Sequence, residues 1–83
     1  MILKILLSKQ ARKYLAGVDE KTRRKLYAAL DELSEFKGDI RKLKGYENTF
    51  RYKIEHYRII FRWQKGEIVI QVIEINTRTN IKY

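Results

Sequence analysis

Residues 50–63, FRYKIEHYRIIFRW, decide how this chain folds. Apolar and basic side chains alternate through the first half, and a strand sends successive side chains to opposite faces. Phe50, Tyr52 and Ile54 share one face, and Arg51 and Lys53 the other. After a short turn at Glu55-His56, Tyr57, Ile59, Phe61 and Trp63 share a face, opposite Arg58, Ile60 and Arg62. Joining the runs through that turn sets Ile54 against Tyr57, Tyr52 against Ile59 and Phe50 against Phe61. The result is one continuous apolar face, suited to packing on helices. A slip of one residue would turn the aromatics into water, so the register is well determined.

The same register places Lys53 opposite Arg58 and Arg51 opposite Ile60. Like charges directly opposite destabilise a sheet by roughly 0.2–1 kcal/mol. Cations converging on one exposed face make physical sense if an anion sits among them. The plain alternative is a solvated strand face with splayed side chains. Glu55 and Glu74 are the acids placed to offset part of the charge.

Outward from the hairpin, residues 2–7, ILKILL, form an apolar run bounded by Ser8. This fits a strand buried on both faces. Ser8 is a good N-cap for a helix over residues 8–17, closed by Gly17, with Ala11, Tyr14 and Leu15 facing inward. Asp19 can cap a second helix from about Glu20 to Phe36, where Leu26, Ala29, Leu30, Leu33 and Phe36 make one apolar stripe. Gly38 is expected to end it. Residues 39–47, DIRKLKGYE, read as a connection, with Lys42 and Lys44 flanking Leu43. A third strand-like run, EIVIQVIEI, follows the hairpin after a turn at Lys65-Gly66. The expected class is α+β: two N-terminal helices on one face of a mostly antiparallel four-stranded sheet, in the order β-α-α-β-β-β. If the last strand lies beside the 57–64 strand, Arg78 comes to the cations as well.

The bulk properties fit one domain spanning residues 1–83. A chain this short hides only about 60% of the surface its unfolded form exposes, so a covering partner would stabilise it. The net charge of +9 predicts attraction to an acidic partner, of which nucleic acid is the commonest. There is no Cys and a single His, which excludes thiolate chemistry and argues against a metal site. No cofactor is expected. The opening apolar run is too short for a signal sequence, and no stretch is long enough to span a membrane. A soluble, cytoplasmic protein is expected. No nucleophile elbow or phosphate-cradling glycine loop is present. His56 reads as a turn residue before a general base. Tyr46 and Tyr83 fit no core pattern and are free to act.

Several motifs together resemble the RelE/ParE superfamily of toxins from bacterial and archaeal toxin-antitoxin pairs. They are the opening strand, SKQARKYL leading into a helical pair, KLKG at 42–45, the F-R-x-K-x-x-x-Y-R run at 50–58, and a late strand ending in an Arg and then a Tyr. RelE-type members are ribosome-dependent endoribonucleases that cut mRNA in the ribosomal A site without a metal, using an array of basic residues. The resemblance implies that Arg51, Lys53, Arg58 and Arg78 form that array, and Tyr83 approximates the family's C-terminal tyrosine. It gives no role to His56. In the implied chemistry a 2′-hydroxyl attacks the neighbouring phosphate, and preplaced cations stabilise the charge that develops. Guanidinium groups suit that task because the fork matches a phosphate and stays charged. Lys53 would transfer a proton or stabilise the phosphate. Tyr83 would pass a proton or stack on a base. Lys42, Lys44, Arg62 and Lys82 would hold RNA or ribosome.

Two other functions fit the chain. A ParE-like toxin uses the same fold to inhibit DNA gyrase by binding and needs no array. A noncatalytic RNA-binding module would tolerate loss of any one cation. In either toxin reading the partner is a cognate antitoxin, acidic overall, with a segment that folds on the toxin surface. The nuclease reading adds mRNA and the ribosome as partners. No membrane or small-molecule partner is expected.

Overall fold

The computed structural model describes residues 3–80. The elements run β1 (Lys4–Leu7), α1 (Lys9–Gly17), α2 (Glu20–Ser34), β2 (Asp39–Lys42), β3 (Thr49–Ile54), β4 (Tyr57–Arg62) and β5 (Val69–Thr77). The class is α+β, as expected, but the sheet has five strands in the order β1-β5-β4-β3-β2. β1 runs parallel to β5, and the remaining neighbours are antiparallel. The fifth strand is β2, inside the segment read as a connection. Its four residues, DIRK, hold one apolar side chain, so no alternation marked them.

Both helices begin where side-chain caps dictate. Ser8 Oγ accepts from Ala11 N–H at 3.1 Å, and Asp19 Oδ2 accepts from Thr22 N–H at 3.4 Å. Ala11, Leu15, Leu26, Ala29, Leu30 and Leu33 are buried, so the inward stripes fall as their spacing requires. They pack on Tyr52, Ile59, Phe61, Ile70, Val72 and Ile75 from the sheet. The helices therefore cover one sheet face and leave the other open. Arg23 ties the helices together: its Nε donates to Leu15 O at 2.8 Å and its Nη2 to Val18 O at 2.9 Å. These carbonyls close α1, where a cation is also favoured by the helix dipole.

Two expectations about the elements are corrected. α2 ends at Ser34, and the left-handed residue beyond it is Phe36, at φ 56°, in place of Gly38. The Phe36 ring centroid lies 4.9–6.0 Å from those of Phe50, Phe61 and Trp63, and that aromatic cluster offsets the backbone strain. Gly38 serves a different need. At φ 115° it lies against Tyr52, and a Cβ there would stand 2.5 Å from the ring. The second correction concerns β1, which is an edge strand. Lys4 and Leu6 point to the open face and are exposed, while Ile5 and Leu7 pack on the core. The lysine inside the apolar run is the usual protection of an edge against further pairing.

β1 stops at Leu7, opposite Val72, although β5 continues to Thr77. Side chains at the start of α1 take over the exposed backbone. Gln10 Nε2 donates to Ile75 O at 2.9 Å, and Ile75 N–H donates to Gln10 Oε1 at 2.9 Å. Ser8 Oγ donates to Ile73 O at 2.5 Å. Gln10 thus supplies one donor and one acceptor in the place of a missing strand.

Candidate functional site

The hairpin pairs as its alternation requires: Ile54 with Tyr57, Lys53 with Arg58, Tyr52 with Ile59, Arg51 with Ile60 and Phe50 with Phe61. Tyr52, Ile59 and Phe61 are buried under the helices. Arg51 and Lys53 therefore stand on the open face, in register with Ile60 and Arg58 of β4. Arg62, two residues beyond Ile60, is exposed at the far end of that strand.

Arg58 is the fixed point of the cluster. It is only 9% exposed, and its Nη1 donates to Glu55 O at 3.2 Å and Tyr57 O at 3.0 Å. Burying a charge is costly unless hydrogen bonds hold it, and the two turn carbonyls do so. Both bonds use one nitrogen, Nη1. Glu55 makes the turn possible by adopting φ 52°. Contrary to the sequence reading, its carboxylate does not offset the cluster. Glu55 Oε1 instead lies 3.0 Å from Lys25 Nζ on α2.

β5 lies beside β4, with Asn76 opposite Arg58 and Thr77 opposite Tyr57. Arg78 follows at once, in an exposed turn, and its N–H donates to His56 O at 2.8 Å. The backbone of Arg78 is thereby fixed at the hairpin turn beside which Arg58 is anchored. Among the described residues, Arg51, Lys53, Arg58, Arg62 and Arg78 form no ion pair; the four ion pairs found involve other cations.

β2 contributes residues that sequence reasoning missed. Arg41 stands opposite Arg51, and Asp39 opposite Lys53. Arg41 Nε and Asp39 Oδ1 are 3.7 Å apart, so part of the added charge is internally balanced. The only sequence signal was the isolated Ile40 between polar neighbours. The other binding candidates are less concentrated. Lys42 stands opposite Phe50, in register with the helix-side face, and Lys44 is exposed in the turn that follows. Lys82 and Tyr83 lie outside the described residues. Among the described residues no group of three or more His, Asp or Glu side chains is placed to hold a metal ion. Among the described residues no helix is long and apolar enough to cross a membrane.

Chemically, the arrangement is suited to an anion. Cations from β3 and β4, joined by the backbone-fixed Arg78, face a surface with few acids, and at least one guanidinium is held rigidly. Rigid placement matters because donors fixed in advance need not reorganise when charge develops.

The chain matches the family model for the ParE toxin of type II toxin-antitoxin system, parDE, over residues 5–81. Its fold is similar to a chain of the archaeal RelE-RelB complex from Pyrococcus horikoshii OT3, with a TM-score of 0.76 at 23% identity, covering 98% of this chain and 100% of that one. A chain of the RelB-RelE antitoxin-toxin complex from Methanococcus jannaschii is similar at a TM-score of 0.71 and 25% identity, covering 89% of this chain and 91% of that one. A chain of the intact E. coli RelBE toxin-antitoxin complex gives 0.73 at 21% identity, covering 90% and 95%. No curated protein matches at a significant level.

Proposed function

The chain belongs to the RelE/ParE superfamily of toxins of toxin-antitoxin systems, and from that premise we propose that it is a RelE-type mRNA endoribonuclease acting in the ribosomal A site, so inhibiting translation. The observation that carries this reading is the set of cations left without carboxylate partners on the open sheet face, with Arg58 anchored by two carbonyls. In this reading the RNA 2′-oxygen attacks the adjacent phosphorus and the 5′-oxygen leaves. A 2′,3′-cyclic phosphate and a free 5′-hydroxyl result. Arg51, Arg58 and Arg78 hold the phosphate oxygens as charge builds on them. Lys53, in register with Arg58, transfers a proton or holds the phosphate, and Tyr83 passes a proton or stacks on a base. Lys42, Lys44, Arg62 and Lys82 contact RNA backbone or ribosome. The partner that silences the toxin is a cognate antitoxin; chains of similar fold have been crystallised in complexes with RelB.

A second reading has one observation in its favour: the matching family model is that of ParE toxins. A ParE-like toxin would bind and inhibit DNA gyrase, and the unpaired cations would then have no catalytic role. Primer extension on translated mRNA, after induction of wild type and of Arg58→Ala, separates the two. Cuts within codons that vanish in the variant support the nuclease. Growth arrest with intact mRNA and broken DNA supports the gyrase inhibitor. A noncatalytic RNA binder would give neither.

A further inference from the structure

A cavity of about 390 Å³ opens on the same bare sheet face, beside the cations. Its apolar lining comes from Leu43, Tyr46, Ile60 and Ile73, and Arg62, Glu47 and Glu74 form polar parts of its rim. Ile60 makes the floor and is 7% exposed, whereas Tyr46 and Ile73 at the sides are 49% and 39% exposed. Ile73 reaches the rim because β5 carries a bulge there: Ile60 pairs with Glu74 but Phe61 pairs with Val72, which leaves Ile73 as the extra residue.

Glu74 is the unexpected member. A carboxylate repels phosphate, yet this one sits on the face read as a phosphate site and makes no ion pair among the described residues. β5 fixes it directly across from Ile60, while Arg51 stands across from Ile60 on the other side. Arg58 lies two residues along β4, about 7 Å away. A phosphate held at Arg51 and Arg58 would leave the adjoining base of the same strand within reach of Ile60 and Glu74.

We infer that this cavity is a nucleobase subsite, stacked by Tyr46 and made selective for guanine by Glu74. The inference rests on the nuclease reading for its supply of RNA. Stacking on an aromatic ring is tolerant of sequence because every base has a π-face, so selectivity has to come from the edge. Guanine presents two adjacent donors, N1–H and the N2 amine, which match the two oxygens of one carboxylate. Adenine and cytosine each present an amine beside a ring-nitrogen lone pair that repels the second oxygen. Uracil flanks its single N–H with two carbonyls. Glu47, exposed in the loop before β3, lacks the backbone fixation of Glu74 and is the control.

The test is binding of fluorescein-labelled UUGUU, UUAUU, UUCUU and UUUUU to purified toxin, read by anisotropy at low salt. Wild type binds UUGUU at least about fivefold more tightly than UUUUU, the lower end for a matched base contact. Glu74→Gln abolishes that preference without weakening UUUUU, Glu47→Gln keeps it, and Tyr46→Ala weakens all four alike. These positions are surface or rim residues, and circular dichroism checks that each variant folds. Equal binding of all four by wild type, or a preference that survives Glu74→Gln, overturns the subsite and leaves the nuclease reading intact. Guanine-selective binding without cleavage of translated mRNA keeps the subsite and removes the nuclease. No binding of any oligonucleotide overturns the subsite and leaves the nuclease reading to its own test on translated mRNA.

Discussion

Tyr52 shows how one buried polar atom links core to pH. Its hydroxyl donates to Glu32 Oε2 at 3.1 Å, and its side chain is 2% exposed. Burial, then the bond to Glu32 and that residue's charge, push the phenol from 10.0 up to about 12. The folded state thus favours the neutral phenol. Its contribution to stability is fully present below pH 10 and is lost as pH rises through 12. Tyr52→Phe should lose about 0.5–1.5 kcal/mol at neutral pH. The gap between wild type and variant should close between pH 10 and 12, as measured by denaturant unfolding. A gap that stays constant would show that the phenol is not the titrating group. Gly38→Ala should be more damaging, because the new Cβ meets the Tyr52 ring at 2.5 Å on a backbone at φ 115°. A melting temperature equal to wild type would contradict that packing. Neither contact was legible in the sequence, where Gly38 read as a helix stop and Tyr52 as one more aromatic in a stripe.

Among the elements, the hairpin was the most legible. A short turn and strict alternation left one register that buries the aromatics, and the observed pairs follow it. The strand edges were not legible. The run ILKILL does not say which neighbours a strand has, although Lys4 within it was a sign of an edge. Helix ends were read by the commonest residue, glycine, and tertiary packing overrode that preference at Phe36. Phe36→Gly should therefore destabilise less than Phe36→Ala, by about 1 kcal/mol, because Gly relieves the left-handed strain that Ala retains. A reversed order in thermal denaturation would mean that the backbone there is not strained. Gln10→Ala should cost about 1–3 kcal/mol, since it strands the N–H and C=O of Ile75, whose residue is 0% exposed. Faster amide exchange at Ile75 relative to Ile59 is the signature that distinguishes this from general loosening.

For the whole molecule, charge and topology meet on one surface. The helices cover one sheet face with apolar contacts, and Arg51, Lys53, Arg58 and Arg62 stand on the other, with Arg58 and the backbone of Arg78 fixed there. Composition announced the charge of +9, and the hairpin located its centre. The contribution of Arg41 was hidden because β2 is short and mostly polar. If the open face binds single-stranded RNA, Arg51→Ala should reduce the salt slope of log affinity by about 0.7. Arg24→Ala should leave the slope unchanged, because Arg24 lies on α2 and pairs with Glu20 at 3.2 Å. Equal slopes for both variants would place RNA elsewhere on the molecule.

The most direct measurement is single-turnover cleavage of mRNA on programmed ribosomes by wild type and Arg58→Ala, with ribosome affinity measured in parallel. If an anchored guanidinium on the bare sheet face stabilises the charge that builds on phosphate, the variant loses roughly a hundredfold or more in cleavage rate while affinity moves by only a few-fold. A cleavage rate equal to wild type, or a loss accounted for entirely by weaker ribosome binding, would contradict the account.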